Sequence, residues 1–451
     1  MRRPVHSQSN ITAPGTWLSD VNASVRRSVL FPVVGLCAVL AYLVYAWIAF
    51  DVNGLIAKAR PDRALILGTD SVAYKVHVTR RLRRGDLEVA VEGERTATYK
   101  TPPDWVKTIG EIGARVDLGG GYIAEIDDRT VRFTVPDYGI LVARSTGRDV
   151  VVERPSGALP SWLQISENKF DARPTIGRRV QVSRNKIEVH RYFGGWENFF
   201  FPFNSELRTY TTGGLLALAQ SGERLNPEMA NWRYILHTFW QNPDWQHGEI
   251  AVALFETILM AVLGTLTAVI VGLPLAFLAA SNFTPLGALR FAVRRLFDFL
   301  RGIDMLIWSL IFIRAFGLGP LTGALAIAFT DTGTLGKLFS EALENIDNKQ
   351  VDGVTSTGAS RLQRYRFGVI PQILPVLVSQ GLYYLESNTR SATVIGALGA
   401  GGIGLVLVET MRTSRDWENT MYIVLLTVIV VIAMDAASGW LRRRLIASGS
   451  A

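Results

Sequence analysis

The sequence predicts a mainly α, polytopic membrane protein with about six transmembrane helices and a β-rich insert between the first two. Three observations carry this. Mean hydropathy is +0.21, with 49% of the 451 residues apolar and 19% charged, where soluble domains carry about 25%. Uncharged runs long enough to cross a bilayer recur along the chain. The long stretch between the first two runs is polar and alternates with the period of a strand.

Residues 1–27 form a basic tail with Arg2, Arg3, Arg26 and Arg27. Residues 28–50 carry no charge and are long enough for a hydrocarbon core of ~30 Å. They end in Trp47-Ile48-Ala49-Phe50-Asp51 rather than in a small-residue cleavage site, so they read as an anchor. Residues 51–192 are the β-rich insert, expected outside the cytoplasm. Val72, Tyr74, Val76 and Val78 would share one strand face, and Ala73, Lys75, His77 and Thr79 a wetter one. Asp86–Val91, Val131–Val135 and Val150–Val152 are further strands, with breaks at Gly119-Gly120-Gly121, Pro102-Pro103 and Pro136-Asp137. Residues 193–249 are rich in aromatics, among them Trp196, Phe199, Trp240 and Trp245, which suits a membrane interface. Residues 250–440 hold five more spans: Thr257–Ala280, Gly302–Leu318, Gly319–Gly336, Pro371–Leu385 and Asn419–Met434. Residues 441–451 are a second tail.

Basic residues set the orientation. With the N-terminus inside, the inner segments contain Arg290, Arg294, Arg295 and Arg301, then Lys337, Lys349, Arg361, Arg364 and Arg366, then Arg442, Arg443 and Arg444. The outer loop near 405–418 offsets Arg412 and Arg415 with Glu409, Asp416 and Glu418. Both termini are therefore expected in the cytoplasm.

Several chemistries are excluded. One cysteine, Cys37, permits no internal disulfide or thiolate cluster, and five histidines show no metal-ligand spacing. The net charge of +8 is spread as +3, +2 and +3 over residues 1–27, 51–249 and 250–451, so no basic domain exists for nucleic acid. Gly399-Ala400-Gly401-Gly402-Ile403-Gly404 matches a dinucleotide pattern, but lies in an apolar membrane stretch without a βαβ unit. Its glycines, Gly399, Gly401, Gly402 and Gly404, read instead as close helix packing or a broken helix. Gly333-Thr334-Leu335-Gly336-Lys337-Leu338 lacks the first glycine and the Ser or Thr of a phosphate loop. No catalytic residue, metal site or ATP site is expected in this chain.

The inner loop 337–371 is long for a connector. It can form two short helices flanking Gly358, presenting Leu362 among Arg361, Arg364 and Arg366. The plain alternative is a solvated loop. Here the chain resembles the permease subunits of bacterial ABC importers, whose cytoplasmic loop E-A-A-x-x-x-G-x9-I-x-L-P docks into an ATPase. Asp352 stands for the Glu, Gly353 and Val354 for the alanines, Gly368 for the first Ile and Ile370 for the Leu; Gly358 and Pro371 match. Residues 255–282, 317–347, 357–375 and 385–404 are similar to the phosphonate-type permeases, the last segment most specifically. The insert lies outside the resemblance.

The resemblance implies a type I ABC importer permease core in a bacterial inner membrane, working by alternating access on phosphonate, phosphate, phosphite or a related oxyanion. It implies as partners an ATPase dimer holding ATP and Mg, an extracytoplasmic phosphonate-binding protein, and a second copy or a sister permease. The coupling loop would use Asp352, Gly358, Ala359, Arg361 and Pro371. The candidate pathway residues are Arg314, Glu386 and Arg390, because charges in spans are costly and usually line an interior, together with Asn388 of the segment most similar to the family. An arginine fork at Arg390 suits phosphoryl oxygens. The alternative is a structural Glu386–Arg390 pair, four residues apart on one helix face. Two rival functions are an ion-coupled secondary transporter and a membrane sensor, though only eleven residues follow Trp440 for a signalling module.

Overall fold

The computed structural model describes residues 16–59, 61–92, 97–110, 113–413 and 416–447. Arg2, Arg3, Arg415 and the ends of both tails lie outside the described residues. The chain divides into two units, 1–65 and 66–451.

The first unit holds α1 (Thr16–Ala49) and α2 (Val52–Lys58). Leu30–Ala49 is long and apolar enough to cross a membrane. Asp51, in the left-handed region, ends α1 and caps α2 by accepting from the Gly54 amide at 3.1 Å. Helix α3 (Pro61–Asp70) leads into the second unit.

The insert is a sandwich of two antiparallel sheets. One has β1 (Ala73–Arg81), β2 (Leu87–Val91), β9 (Leu163–Ser166), β10 (Lys169–Thr175), β11 (Arg178–Ser183) and β12 (Lys186–Gly194), in the order β2-β1-β12-β11-β10-β9. The other is a meander of β3 (Val106–Ile109), β4 (Gly113–Gly119), β5 (Tyr122–Asp127), β6 (Thr130–Val135), β7 (Gly139–Ser145) and β8 (Val150–Glu153). Val76, Val78, Phe133, Phe170 and Val189 are fully buried in the shared core. Ala73 pairs with Gly194, so the insert enters and leaves at neighbouring points. A domain closed this way can sit in a loop without straining its host.

The wetter face expected of β1 is not wet: Lys75 and Thr79 are buried. Asp70 at the end of α3 takes Lys75 and Arg173 at 3.2 Å each, and Tyr192 lies beneath both cations. Alternation correctly separated the two faces. It could not show that a charged layer covers the second.

The aromatic segment carries α4 (Thr212–Gln220) and α5 (Asn231–Trp240). Some of its rings gather into a cluster, while Phe200, Trp232 and Trp240 stay exposed. Phe199 packs on Trp196, Trp245, His247 and Tyr422, and Trp196 Nε1 donates to Ser71 O at 3.2 Å. The cluster thereby ties the root of the sandwich to the helices that follow.

Those helices are α6 (His247–Ala279), α7 (Gly287–Gly302), α8 (Met305–Phe316), α9 (Pro320–Glu344), α10 (Asn348–Ser356), α11 (Arg361–Arg364), α12 (Ile370–Ile395), α13 (Gly402–Thr413) and α14 (Trp417–Ala447). Four described stretches are long and apolar enough to span: Leu30–Ala49, His247–Ala279, Arg361–Ala400 and Trp417–Leu445. The predicted span at Gly302–Leu318 is shorter, because Asp304 restarts the helix by capping the Leu306 amide at 2.8 Å. The one at Gly319–Gly336 continues to Glu344, so the first residues of the expected loop are helical.

Helix α9 is central and packs on α6, α7, α8 and α12. Its small residues permit this. A Cβ on Gly336 would meet the Phe297 ring at 2.4 Å, and one on Gly264 of α6 would meet Ile327 of α9 at 2.6 Å.

Candidate functional site

The segment between α9 and α12 is a helical hairpin. Helix α10 starts at the Asp347 cap, which accepts from the Lys349 amide at 2.9 Å. It ends before Gly358, whose φ is +80°. Glycine takes that value freely, whereas most side chains do so only with strain. A Cβ there would meet open space, so conformation rather than crowding requires the glycine. Ser360 and Gln363 then form a capping box that starts α11. A π-helical turn, Tyr365–Val369, feeds α12, with Pro371 in its first turn.

The hairpin is clamped at its base. Gln372 Oε1 accepts from the Asp347 amide at 2.8 Å, and its Nε2 donates to Gly368 O at 2.7 Å. Gly368, where the motif has Ile, lets Val351 of α10 approach: an added Cβ would lie 3.3 Å from its Cα. Gln372 carried no signal in the sequence, because its partners are distant in the chain. Asp352 and Arg361 are exposed, Ala359 partly so. Leu362 and Phe367 are 77% and 60% exposed. Beside them runs an open groove of about 650 Å³, lined in part by Val354, Gly358, Ala359 and Gln363. Exposed apolar tips on a rigid, capped hairpin suit a protein partner.

Two of the four pathway candidates, Glu386 and Arg390, meet, and Asn388 is turned away from them. Arg390 Nη2 lies 3.3 Å from Glu386 Oε1, as helix spacing requires, with the arginine side chain 64% exposed. Arg314, in the last turn of α8, is exposed and has no ion partner among the described residues. Asn388 is two residues from Glu386 and so lies on the other side of α12. It is 1% exposed, donating to Thr265 Oγ1 at 2.8 Å and Asp331 Oδ2 at 2.5 Å. This polar contact joins α6, α9 and α12 inside the bundle. In the sequence Asp331 shows only as the charge that interrupts the span Gly319–Gly336, and nothing local marks it or Thr265 as a partner of Asn388.

The glycine run breaks the helix after α12. A π-helical turn at Gly396–Ala400 is followed by a fresh start at Gly402. Two residues of α6 hold that start: Glu256 Oε2 accepts from the Gly402 amide at 3.1 Å and Thr257 Oγ1 from the Ile403 amide at 2.9 Å. A carboxylate at a helix N-terminus is favoured by the unpaired amides and the helix dipole. Gly402 has φ +68°, and a Cβ there would sit 2.5 Å from Thr257 Oγ1. Gly399, Gly401 and Gly404 lie in the same close-packed break, with a Cβ on Gly404 only 1.9 Å from Thr393 O. Glu256, which the sequence placed just before a span, is within α6 and serves as this cap.

Residues 272–447 match the family model "Binding-protein-dependent transport system inner membrane component". A putative phosphite transport system permease protein of Stutzerimonas stutzeri is 35% identical over 212 residues, 47% of this chain and 74% of that protein. A putative cryptic phosphonate transport system permease protein of Escherichia coli K12 is 43% identical over 122 residues, 27% of this chain and 99% of that one. A phosphate-import permease protein of Mycolicibacterium smegmatis is 36% identical over 198 residues, 44% of this chain and 37% of that one. Among solved structures, a chain of the MetNI methionine ABC transporter aligns with 44% of this chain and 95% of its own, at 19% identity and a TM-score of 0.39.

Proposed function

The chain belongs to the inner-membrane permeases of binding-protein-dependent transport systems, of the phosphonate and phosphite type, and we propose that it forms the path for phosphonate or a related oxyanion in an ATP-driven type I importer. The identity to a phosphite permease over 74% of that protein supports this most directly. In this reading the chain catalyses no reaction, and ATP and Mg belong to a partner ATPase dimer. The ATPase grips the hairpin through Leu362, Phe367 and the groove beside Gly358. A second copy or a sister permease completes the path, and an extracytoplasmic binding protein delivers the anion. Closure of the ATPases pulls the hairpins together and biases a two-state bundle.

Six spans fit this reading: α1, α6, α8, α9, α12 and α14, with α7 on the inner side. Both termini and the hairpin then face the cytoplasm, and the sandwich faces outward. Arg390, held loosely by Glu386, is free to offer its fork to phosphoryl oxygens. Asn388, engaged behind the same helix, sets its orientation. Phosphate is a second substrate reading, favoured by the mycobacterial relative.

Uptake of labelled phosphite, methylphosphonate and phosphate should be measured in cells lacking the chromosomal gene, with and without the chain. Accumulation that needs both the chain and an ATPase able to hydrolyse ATP is expected. Chain-dependent uptake that persists with an ATPase dead in hydrolysis would overturn the reading, and competition among the three anions ranks the substrates.

A further inference from the structure

Helix α7 has three faces. Val293, Phe297 and Leu300 are buried against the bundle. Leu296 and Phe299 are exposed, at 42% and 56%, and form an apolar edge. The third face is cationic, and its charges do not cancel. Asp298 Oδ2 takes Arg295 Nη2 at 3.0 Å, while its Oδ1 takes Arg301 Nη2 at 3.2 Å and Lys337 Nζ of α9 at 3.8 Å. Three cations from two helices thus share one carboxylate, with no second ion partner among the described residues. All four side chains remain open to a ligand, with 30–62% exposure. Arg295 lies over the exposed Phe291 ring at 5.5 Å from its centroid. A cationic cluster beside exposed aromatic and aliphatic carbon matches a molecule that is anionic at one end and apolar just beyond.

We propose that the face of α7 and α9 around Asp298 binds the phosphodiester of an anionic phospholipid. Arg295, Arg301 and Lys337 meet the phosphoryl oxygens, and Phe291 and Phe299 line the first acyl carbons. Guanidinium forks pair well with phosphate, and basic pockets at the inner ends of membrane helices hold acidic headgroups. Asp298 holds the three cations together and competes for them. A freely diffusing oxyanion offers the same oxygens but nothing for the apolar edge. The inference takes from the proposed function only that this end of α7 meets the inner membrane surface.

The purified, delipidated full chain in mild detergent tests this, with thermal unfolding followed against added phosphatidylglycerol, phosphatidylcholine, inorganic phosphate or methylphosphonate. Phosphatidylglycerol alone should raise the midpoint in a saturable way. Arg295→Gln should raise the half-saturating concentration about fivefold, and the triple variant R295Q/R301Q/K337Q on the order of a hundredfold, at about 1 kcal/mol per charge. Asp298→Asn should lower it. If the triple variant fails to fold, the exposed Arg295→Gln still decides. An equal shift with phosphate or methylphosphonate would assign a free-oxyanion site and overturn the lipid. An equal shift with phosphatidylcholine, none with any addition (as when a second copy covers this face), or an Arg295→Gln variant titrating like wild type would also overturn it. Neither ATPase nor transport is involved, so a failure here leaves the proposed function standing, and the reverse.

Discussion

Asn388 on α12 and Asp331 on α9 meet across 2.5 Å inside the helical bundle, both nearly inaccessible to solvent. Replacing Asn388 by Leu leaves the Asp331 carboxylate without its donor, at a cost of about 1–3 kcal/mol. Replacing both by Leu removes the orphaned group and should recover most of that loss. The double-mutant cycle in thermal unfolding of the purified chain measures it, and additive losses would show that the contact is not coupled.

At Gly358, Leu should strain the turn by about 1–2 kcal/mol, because L-residues disfavour φ near +80°. Asn tolerates that region and should keep most function. We expect Gly358→Leu to insert normally but to lose ATPase co-purification and uptake, with Gly358→Asn close to wild type. Equal co-purification by all three would reduce the hairpin to a connector.

Arg390→Lys keeps the charge and loses the fork. Lysine can still pair with Glu386, so abundance should hardly change, while uptake falls. Exchanging the two residues should restore abundance and not uptake. Immunoblot and accumulation of labelled methylphosphonate in the same cells give both readouts; full uptake by either variant at wild-type abundance would remove the anion-binding role.

Topology is open to reporter fusions. Fusions at Gly120, in the β4–β5 hairpin, should report the outer face, and those at Asn348 and after Arg444 the cytoplasm. A cytoplasmic signal at Gly120 would overturn the arrangement of spans.

The sandwich should respond to acid. Burial pushes the Asp171 carboxyl up, but Arg179 and then Lys169 outweigh it and hold its pKa down to about 2. Arg179 pairs with it through two contacts, at 2.9 and 2.7 Å. A depressed folded pKa means that this stabilisation is complete above the unfolded value of about 4 and is lost as pH falls toward 2. Amide protection in β10 and β11, relative to the intrinsic exchange rate at each pH, should therefore fall across that window in the full chain, and Arg179→Leu should flatten the dependence. An unchanged pH profile in that variant would show that the pair does not govern it.

Local patterns alone located the first long apolar helix, the strand faces of β1 and the break at Gly358, because each depends on neighbours within a few residues. An uncharged run, a period of two and a glycine between polar helices are all written contiguously. The family-like segment put Asn388 among the pathway candidates, while Glu256 and Asp331 showed only as charges at or within spans and Gln372 and Thr265 showed nothing. Their roles rest on partners 25 to 146 positions away. Helix α9 shows the division most plainly. Its glycines and threonines lower its hydropathy, and only the packed bundle shows that they are small so that α6, α7 and α12 can come close. A sequence records which side chains a helix carries, but which of them face one another is decided when the helices pack.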